Sequence, residues 1–335
     1  MKPELAETTG QEPVARQLER YRRELIGFCY RMLGSSLEAE DAVQETLTRA
    51  WRAYDRFEGR SGLRTWLYRI ATNVCIDMLK ASQRRALPMD LSEAGKADDP
   101  LAPPLPERSW VEPIPDQLVL DSTMDPADLA VARESIRLAF IAALQHLPAR
   151  QRAVLILRDV LQWQASEVAD LLGSSVASVN SALQRARATL DARRPVDVSD
   201  SEVDSDLLAR YLDAFQRYDM AALTELITAD AIQSMPPYSH WLRGREEILS
   251  WWVGPGAGCR GSLLIPTEAN GVPAFGQYRP SGPGGAFEPW SLHVLNIKEG
   301  RIVEFTFFLD TARFFPLFGL PTSREDIDRL ALTTA

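Results

Sequence analysis

The chain has 335 residues, 25% of them charged, and a formal net charge of −9, a length that leaves room for two or three domains. Its three cysteines, Cys29, Cys75 and Cys259, are far apart and odd in number, which excludes a disulfide framework or a zinc-ligand pattern. The net charge alone argues against nucleic acid, but residues 1–85 hold 15 Lys/Arg against 12 Asp/Glu, residues 86–130 hold 2 against 10, residues 131–195 hold 9 against 5 and residues 196–335 hold 11 against 19, so two mildly basic blocks flank an acidic spacer.

The opening MKPELAETTGQEP lacks the basic and apolar regions of a signal peptide. No apolar run reaches the roughly 18 residues of a membrane span. A cytoplasmic protein with no membrane partner, no metal and no cofactor is expected, the three scattered histidines reading as structural or solvated.

Residues 14–82 read as three helices. Leu18, Tyr21, Leu25, Phe28, Cys29 and Met32 form an apolar stripe at spacings of three and four, broken by Gly34–Ser36. A second helix, from about Leu37 to Tyr54, sets Ala39, Val43, Leu47, Ala50 and Trp51 along one side. After the loop Arg56–Gly62, a third helix buries Leu63, Trp66, Leu67, Ile70, Val74 and Leu79.

Residues 86–130 contain 8 of the 22 prolines and read as an acidic linker, since proline and acid together resist helix and sheet. Helices resume near Pro126. The stretch Ser166–Leu190, SEVADLLGSSVASVNSALQRARATL, reads as a helix-turn-helix. Its first helix stops at Gly173, and Ser174 and Ser175 offer caps for the second. Val176, Val179 and Leu183 are spaced to pack inward, leaving Ser175, Ser178, Ser181 and Arg185 on a face that suits the major groove.

Beyond a spacer at Arg194–Asp204, Leu207–Ile227 reads as helical. The runs Gly261–Ile265, Ser291–Ile297 and Arg301–Leu309 read as strands, which suggests an α+β domain with antiparallel pairing.

The succession DAVQETLTRAW, FEGRSGLRTWLYRIATNVCIDMLK, a linker, and LPARQRAVLILRDVLQWQASEVADLLG with its helix-turn-helix resembles an extracytoplasmic-function (group 4) sigma-70 factor over about residues 14–192. The carriers LLARYLDAFQRYDMAALTELITADAI, MPPYSHWLRGREEILSWW and SLHVLNIKEGRIVEFTFFLD make Leu207–Phe318 resemble a SnoaL-like domain of the cone-shaped NTF2-like fold. The expected architecture is multidomain: two all-α sigma domains, at 14–85 and 131–194, joined by the linker 86–130 and followed by an α+β cone at 205–320.

The resemblance implies roles. Asp41, Gln44, Glu45 and Arg49, on one exposed side of their helix, would bind the β′ clamp helices of core RNA polymerase, although a solvated face with the pair Glu45–Arg49 also fits them. The second helical domain would meet the β flap. Residues 60–85 hold Arg60, Arg64, Arg69, Lys80, Arg84 and Arg85 against Asp77 alone, a track for phosphates. There Asn73 would bond a base edge, and Trp66 and Tyr68 would stack on unpaired bases of the minus-ten element. Trp66 also fits a core position. The linker would thread the polymerase channel or act as a flexible tether.

The second helix of the helix-turn-helix would read the minus-thirty-five element through Ser175, Ser178, Asn180, Ser181 and Arg185, with Arg187, Arg193 and Arg194 on the backbone. Asn180 and Ala182 stand where relatives often carry cations, which lowers its phosphate attraction.

In the cone, Tyr238, Trp241, Trp251, Trp252, His293 and Phe307 would line a pocket for a small-molecule ligand or fill the core. Pro236–Pro237 and Gly254–Gly258 would form its mouth. His240, His293, Glu304 and Asp310 are the available acid–base groups, but their spacing defines no dyad. The expected function is promoter recognition by a non-enzymatic polymerase subunit regulated in cis by the cone. A DNA-targeted isomerase or cyclase and a DNA-binding regulator that does not engage polymerase are the alternatives.

Overall fold

The apolar stripes of the N-terminal region form helices α1 (Val14–Glu19), α2 (Arg22–Leu33), α3 (Ser36–Ala53) and α4 (Leu63–Lys80). They are seen in a computed structural model that describes residues 14–59, 61–80, 83–192, 205–327 and 329. Helix α2 is buried at every position from Leu25 to Leu33, Arg31 included, the pattern of a helix surrounded by others. It stops at Gly34, whose φ of +70° lets its N–H reach back to the Tyr30 carbonyl. Ser35 then caps α3, its Oγ accepting from the Glu38 N–H at 3.1 Å. Ala39, Val43, Leu47 and Ala50 of α3 are buried as their spacing predicts. Trp51 is not: it is 63% exposed, because the last turn of α3 is left uncovered on that side.

The acidic segment is no loose tether. Proline does keep it out of long elements, and it holds only helical turns at Pro88–Asp90 and Glu107–Ser109 and the short α5 (Asp116–Val119). Yet Leu87, Trp110, Val111 and Ile114 are buried. Its backbone forms bridges at Ala86 with Trp110, Gly95 with Leu242 and Pro115 with Ala269. Apolar burial, at roughly 1.5–3 kcal/mol per large side chain, holds a chain that lacks regular hydrogen bonding.

Helices α6 (Pro126–Glu134), α7 (Leu138–Gln145) and α8 (Ala149–Leu155) follow, the last running into a wide turn at Ile156–Val160. The helix-turn-helix is formed by α9 (Ala165–Leu172) and α10 (Val176–Asp191) around Gly173, at φ +58°. Ser175 Oγ caps α10 by accepting from the Ser178 N–H at 3.2 Å.

The C-terminal unit opens with α11 (Ser205–Arg217) and α12 (Met220–Leu226), two helices where one was expected. They are parted by Tyr218 at φ +57° and by Asp219, which caps α12. Strands β1 (Ile227–Ser234) and β2 (Trp241–Arg243), helix α13 (Arg245–Val253), then β3 (Leu263–Ala269), β4 (Val272–Arg279), β5 (Glu288–Lys298), β6 (Arg301–Phe308) and α14 (Thr311–Leu317) complete it. The sheet order is β2-β1-β6-β5-β4-β3. All neighbours are antiparallel except β1 and β6, which run parallel.

Both faces of this sheet are used, since alternate residues point to opposite sides. Leu295, Ile297, Phe305 and Phe307 join α11–α13 in the core of the cone. Leu292, Val294, Ala274 and Phe308 face the other way and belong to a second core, which continues through α14 and the linker into α2, α7 and α8. The cone and the helical domains therefore share a sheet.

Candidate nucleic-acid interface

On α10, Val179, Leu183 and Ala186 are buried, whereas Ser178, Asn180, Ser181 and Arg185 are exposed. Arg185 Nη1 donates to Ser181 Oγ at 2.6 Å, which aligns the guanidinium along the helix face. Ser175 caps the helix as expected and stays exposed. Two details differ from expectation. Val176 is 44% exposed and belongs to the outer surface, at the first turn where α9 no longer covers it. Arg187 forms a two-pronged pair with Asp159, at 2.8 and 2.6 Å, which holds its pKa above the usual range through that hydrogen bond. Arg193 and Arg194 lie outside the described residues.

On α4, Asn73 is exposed and free to meet a base edge. Trp66 is half-buried, its ring stacked on Phe57 with centroids 4.8 Å apart. Tyr68, proposed to stack on a base, is a core residue: it is fully buried, packed edge-on against Phe28 at 5.1 Å and tilted against Trp163 at 5.0 Å. Lys80 and Asp77 are exposed and pair at 2.8 Å, which draws the Asp77 pKa down. Surface pairs of this kind contribute little to stability.

The cations of residues 60–85 do not form an open track. Arg60 lies outside the described residues. Arg64 donates to both carboxylate oxygens of Glu24 at 2.8–2.9 Å and lies 5.1 Å from the Trp163 ring. Arg69 Nη2 donates to the Asp170 carbonyl of α9 at 3.1 Å. Arg84 meets His146 Nδ1 at 2.8 Å. Arg85 is buried, bonded to Glu38 at 2.8 Å and to Glu112 at 3.4 Å. The helix expected to read one promoter element thus packs on the helix-turn-helix expected to read the other.

That closure is reinforced by buried polar ties. Arg31 of α2 donates to Ser135 Oγ at 2.6 Å and to its carbonyl at 3.1 Å. Arg152 of α8 donates to the Met32 carbonyl and, at 2.6 Å, to Gln145 Oε1. Burial pulls both guanidinium pKa values down to about 10, which leaves them charged at neutral pH. Glu112 of the linker accepts from Ser35 Oγ at 2.5 Å and from Arg313 Nη2 at 2.8 Å. The β3–β4 turn reaches furthest. Asn270 Nδ2 donates to Tyr30 Oη at 2.6 Å and to the Ile136 carbonyl at 2.7 Å, and Asn270 Oδ1 accepts from the Ile114 N–H at 3.0 Å. Gly271 donates to Asp116 Oδ1 at 2.8 Å. Any side chain there would collide with Arg133, since a Cβ on Gly271 would fall 2.8 Å from its carbonyl oxygen.

On the opposite side of α3, Asp41, Gln44, Glu45 and Arg49 are exposed together, with Arg49 Nε donating to Glu45 Oε1 at 2.6 Å. Trp51 stands beside them in the open. Its spacing of four from Leu47 gave it the period of a core residue, so sequence reasoning placed it on the buried side.

The cone holds a cavity of about 290 Å³ bounded by Tyr238, Trp251, Trp252, His293 and Phe307. Trp241 is not part of it; its indole donates to the Ser92 carbonyl at 2.9 Å, against the linker. Pro255 and Gly256 border the cavity, whereas Pro236 and Pro237 line a neighbouring groove. Leu101, Arg279 and Trp290 also bound the cavity and were not anticipated. His293 has both ring nitrogens engaged, by Tyr211 Oη at 3.1 Å and Gln277 Oε1 at 2.9 Å, and burial lowers its pKa to about 3. No carboxylate faces it among the described residues. Glu304 bonds Asn296, Asp310 pairs with Arg313, and His240 stacks on Trp251 outside the cavity. The four groups form no acid–base pair.

All three cysteines are free, and no helix of the described residues is long and apolar enough to cross a membrane. Residues 18–85 match Sigma-70 region 2, residues 137–190 match Sigma-70, region 4, and residues 208–305 match the SnoaL-like domain. The chain is 48% identical over 335 residues to the ECF RNA polymerase sigma factor SigG of Mycobacterium tuberculosis, covering 95% of this chain and 89% of that protein. It is 25% identical over 305 residues to the sigma factor SigJ of the same organism, covering 85% and 88%. The crystal structure of Mycobacterium tuberculosis extracytoplasmic function sigma factor SigJ matches its fold with a TM-score of 0.58 at 21% identity, over 92% of this chain and 99% of that one. With its two sigma regions and its cone in this order and a relative of that identity along nearly its whole length, the chain belongs to the extracytoplasmic-function RNA polymerase sigma factors.

Proposed function

We propose that this chain is a promoter-specificity subunit that its own C-terminal domain holds closed. A sigma factor binds core RNA polymerase and directs it to promoters; it performs no covalent chemistry. The minus-ten and minus-thirty-five elements lie roughly 25 base pairs apart, or roughly 85 Å of duplex at about 3.4 Å per base pair. Arg69 of α4 touches Asp170 of α9, so the two readers have to part before both can engage one promoter. The observation that carries the reading is the Asn270 turn, whose hydrogen bonds to Tyr30, Ile114 and Ile136 tie the cone to the first helical domain, the linker and the second helical domain at once.

In the open form, Trp66, Asn73, Arg64, Lys80 and the released Arg69 serve the minus-ten element. Ser178, Asn180, Ser181, Arg185 and Arg187 serve the minus-thirty-five element. Asp41, Gln44, Glu45, Arg49 and Trp51 meet the β′ clamp helices, and the second helical domain meets the β flap. The factor acts where RNA polymerase works, in the cytoplasm, and a small molecule in the cone modulates the closed state. Run-off transcription with purified core enzyme tests the reading. Full-length Asn270→Ala should give several-fold more transcript than the unaltered chain at equal concentration. Equal output, with the variant folded, would overturn closure by the cone.

A further inference from the structure

We propose that the cone cavity binds a small planar aromatic anion, one or two fused rings bearing a carboxylate, with Arg279 as its counter-ion and Leu101 of the linker as part of its wall. This rests on the reading of the cone as a brake on the sigma domains and gives that brake its effector.

Size sets the first limit. At about 290 Å³ the cavity lies at the small end of the roughly 300–1,000 Å³ typical of ligand sites, so one or two rings fit and extended polycycles do not. Shape and polarity set the second. Phe215, Trp252 and Phe307 present ring faces and edges to the space, and His293 is neutral with both nitrogens already satisfied, so the interior favours an aromatic body.

Arg279 fixes the charge. Its guanidinium carbon lies 3.9 Å from the centroid of the Trp290 ring. Its Nη2 is so close to Gly258 that a Cβ there would fall 2.4 Å away. The position is therefore built: an aromatic plate on one side and a bare glycine on the other. Yet its Nε is buried without a hydrogen-bond partner. The cross-strand neighbour, Glu288, does not supply one; its carboxylate accepts from Ser281 Oγ at 2.8 Å. A sequestered guanidinium donor without an acceptor is costly, and a carboxylate at the cavity mouth relieves that cost with a two-pronged bond. Among the described residues no carboxylate lines the cavity, His293 has both nitrogens engaged and the Tyr218 hydroxyl is bonded to the Trp252 and Gly256 carbonyls, so the molecule is held and not converted.

Leu101 gives the ligand a regulatory sign. It belongs to the linker, which is docked on the cone by the Leu105 N–H to Pro237 carbonyl bond of 2.9 Å and by Ser92 Oγ to the Ser239 carbonyl at 2.6 Å. A ligand that touches Leu101 binds the docked linker better than the undocked one. By linkage it stabilises the closed state by the same factor, and the anion represses.

Isothermal titration of the full-length chain tests this with 2-naphthoate and its neutral isostere 2-naphthalenemethanol. We expect one saturable site, with the carboxylate at least about tenfold tighter, the factor worth about 1.4 kcal/mol. Arg279→Gln should bring the two probes within about threefold of each other, Arg279→Lys should keep part of the preference, and Leu101→Ala should weaken 2-naphthoate about threefold through lost apolar contact. Absence of saturable 2-naphthoate binding, or an unchanged preference in Arg279→Gln, would overturn the proposal. The titration contains no polymerase, so its failure leaves the brake intact, whereas equal run-off transcription from the Asn270→Ala variant strikes the brake and not the site.

Discussion

Asn270 and Tyr30 are 240 positions apart in sequence and joined by a buried hydrogen bond of 2.6 Å, the side-chain amide donating to the phenol oxygen. Burial raises the Tyr30 pKa, so the phenol stays protonated and itself donates to the Glu112 carbonyl at 2.7 Å. One chain of donors thus runs from the cone through the first helical domain to the linker. Asn270 holds φ at +56°, a backbone region that asparagine tolerates better than most residues.

Asn270→Ala removes the partner of two acceptors and one donor in a dry site. At about 1–3 kcal/mol for each polar group left unsatisfied, it should lower unfolding stability by at least about 2 kcal/mol. Urea denaturation followed by tryptophan fluorescence measures this, and a loss below about 0.5 kcal/mol would mean that the tie is idle.

Glu112 is the second joint. With 2% exposure it binds Ser35, Arg85 and Arg313 from three parts of the chain. Removing one member of a buried charged cluster typically costs about 3–5 kcal/mol, mostly because the partners are stranded. Glu112→Ala should show a loss of that order. Arg313→Met, which leaves Glu112 with Arg85, should cost less, and the double variant should cost less than the sum. Strict additivity in the cycle would dissolve the cluster as a unit.

Asp116 makes the stability of the folded chain sensitive to pH. Burial raises its pKa to about 6, against the bond from the Gly271 N–H that lowers it. The folded value exceeds the unfolded one, near 3.8, so the folded chain binds the extra proton between them. Stability is therefore lost as pH rises from about 4 to about 6, by up to roughly 2–3 kcal/mol at about 1.4 kcal/mol per unit. Asp116→Asn keeps the acceptor oxygen and removes the charge. It should stabilise the chain at pH 8 and much less at pH 4.5; equal effects at both would contradict the assignment.

The helical half of the molecule was legible because its stripes repeat every three to four residues, and the breaks after α2 and α9 carry Gly followed by Ser. Trp51 and Val176 were misassigned because an apolar residue left on the surface has the same periodicity as a core residue. Arg85 shows why counting cations overstated the phosphate track: it is buried between Glu38 of α3 and Glu112 of the linker. The linker misled in the opposite direction. Proline and acid forbid regular elements, but they do not prevent Trp110, Val111 and Ile114 from being buried by residues far away in sequence. Strands β1 and β4 were missed because the polar residues of ITADAIQS follow a helix without a turn signal and VPAFGQYR carries Pro and Gly. Arg279 had no local signal at all, since only the fold sets it beside Trp290.

Trp51 separates recognition from folding. Because it is largely exposed, Trp51→Ala should change stability by no more than about 0.5 kcal/mol. An interface tryptophan commonly contributes about 2 kcal/mol or more to association, so competition binding to core polymerase should weaken by roughly 30-fold. Unaltered affinity would remove it from the polymerase surface.

On the proposed reading, the promoter readers are shut against each other in the free chain and part on the polymerase. Spin labels at Asn73→Cys on α4 and Ser174→Cys in the helix-turn-helix, in a Cys259→Ser background, report that separation by pulsed electron resonance in the full-length factor. The closed arrangement predicts one short distance in the free protein, replaced by one longer by several tens of ångströms in the complex with core polymerase and promoter. A long or broad distribution in the free protein, or the same short distance in the complex, would contradict it.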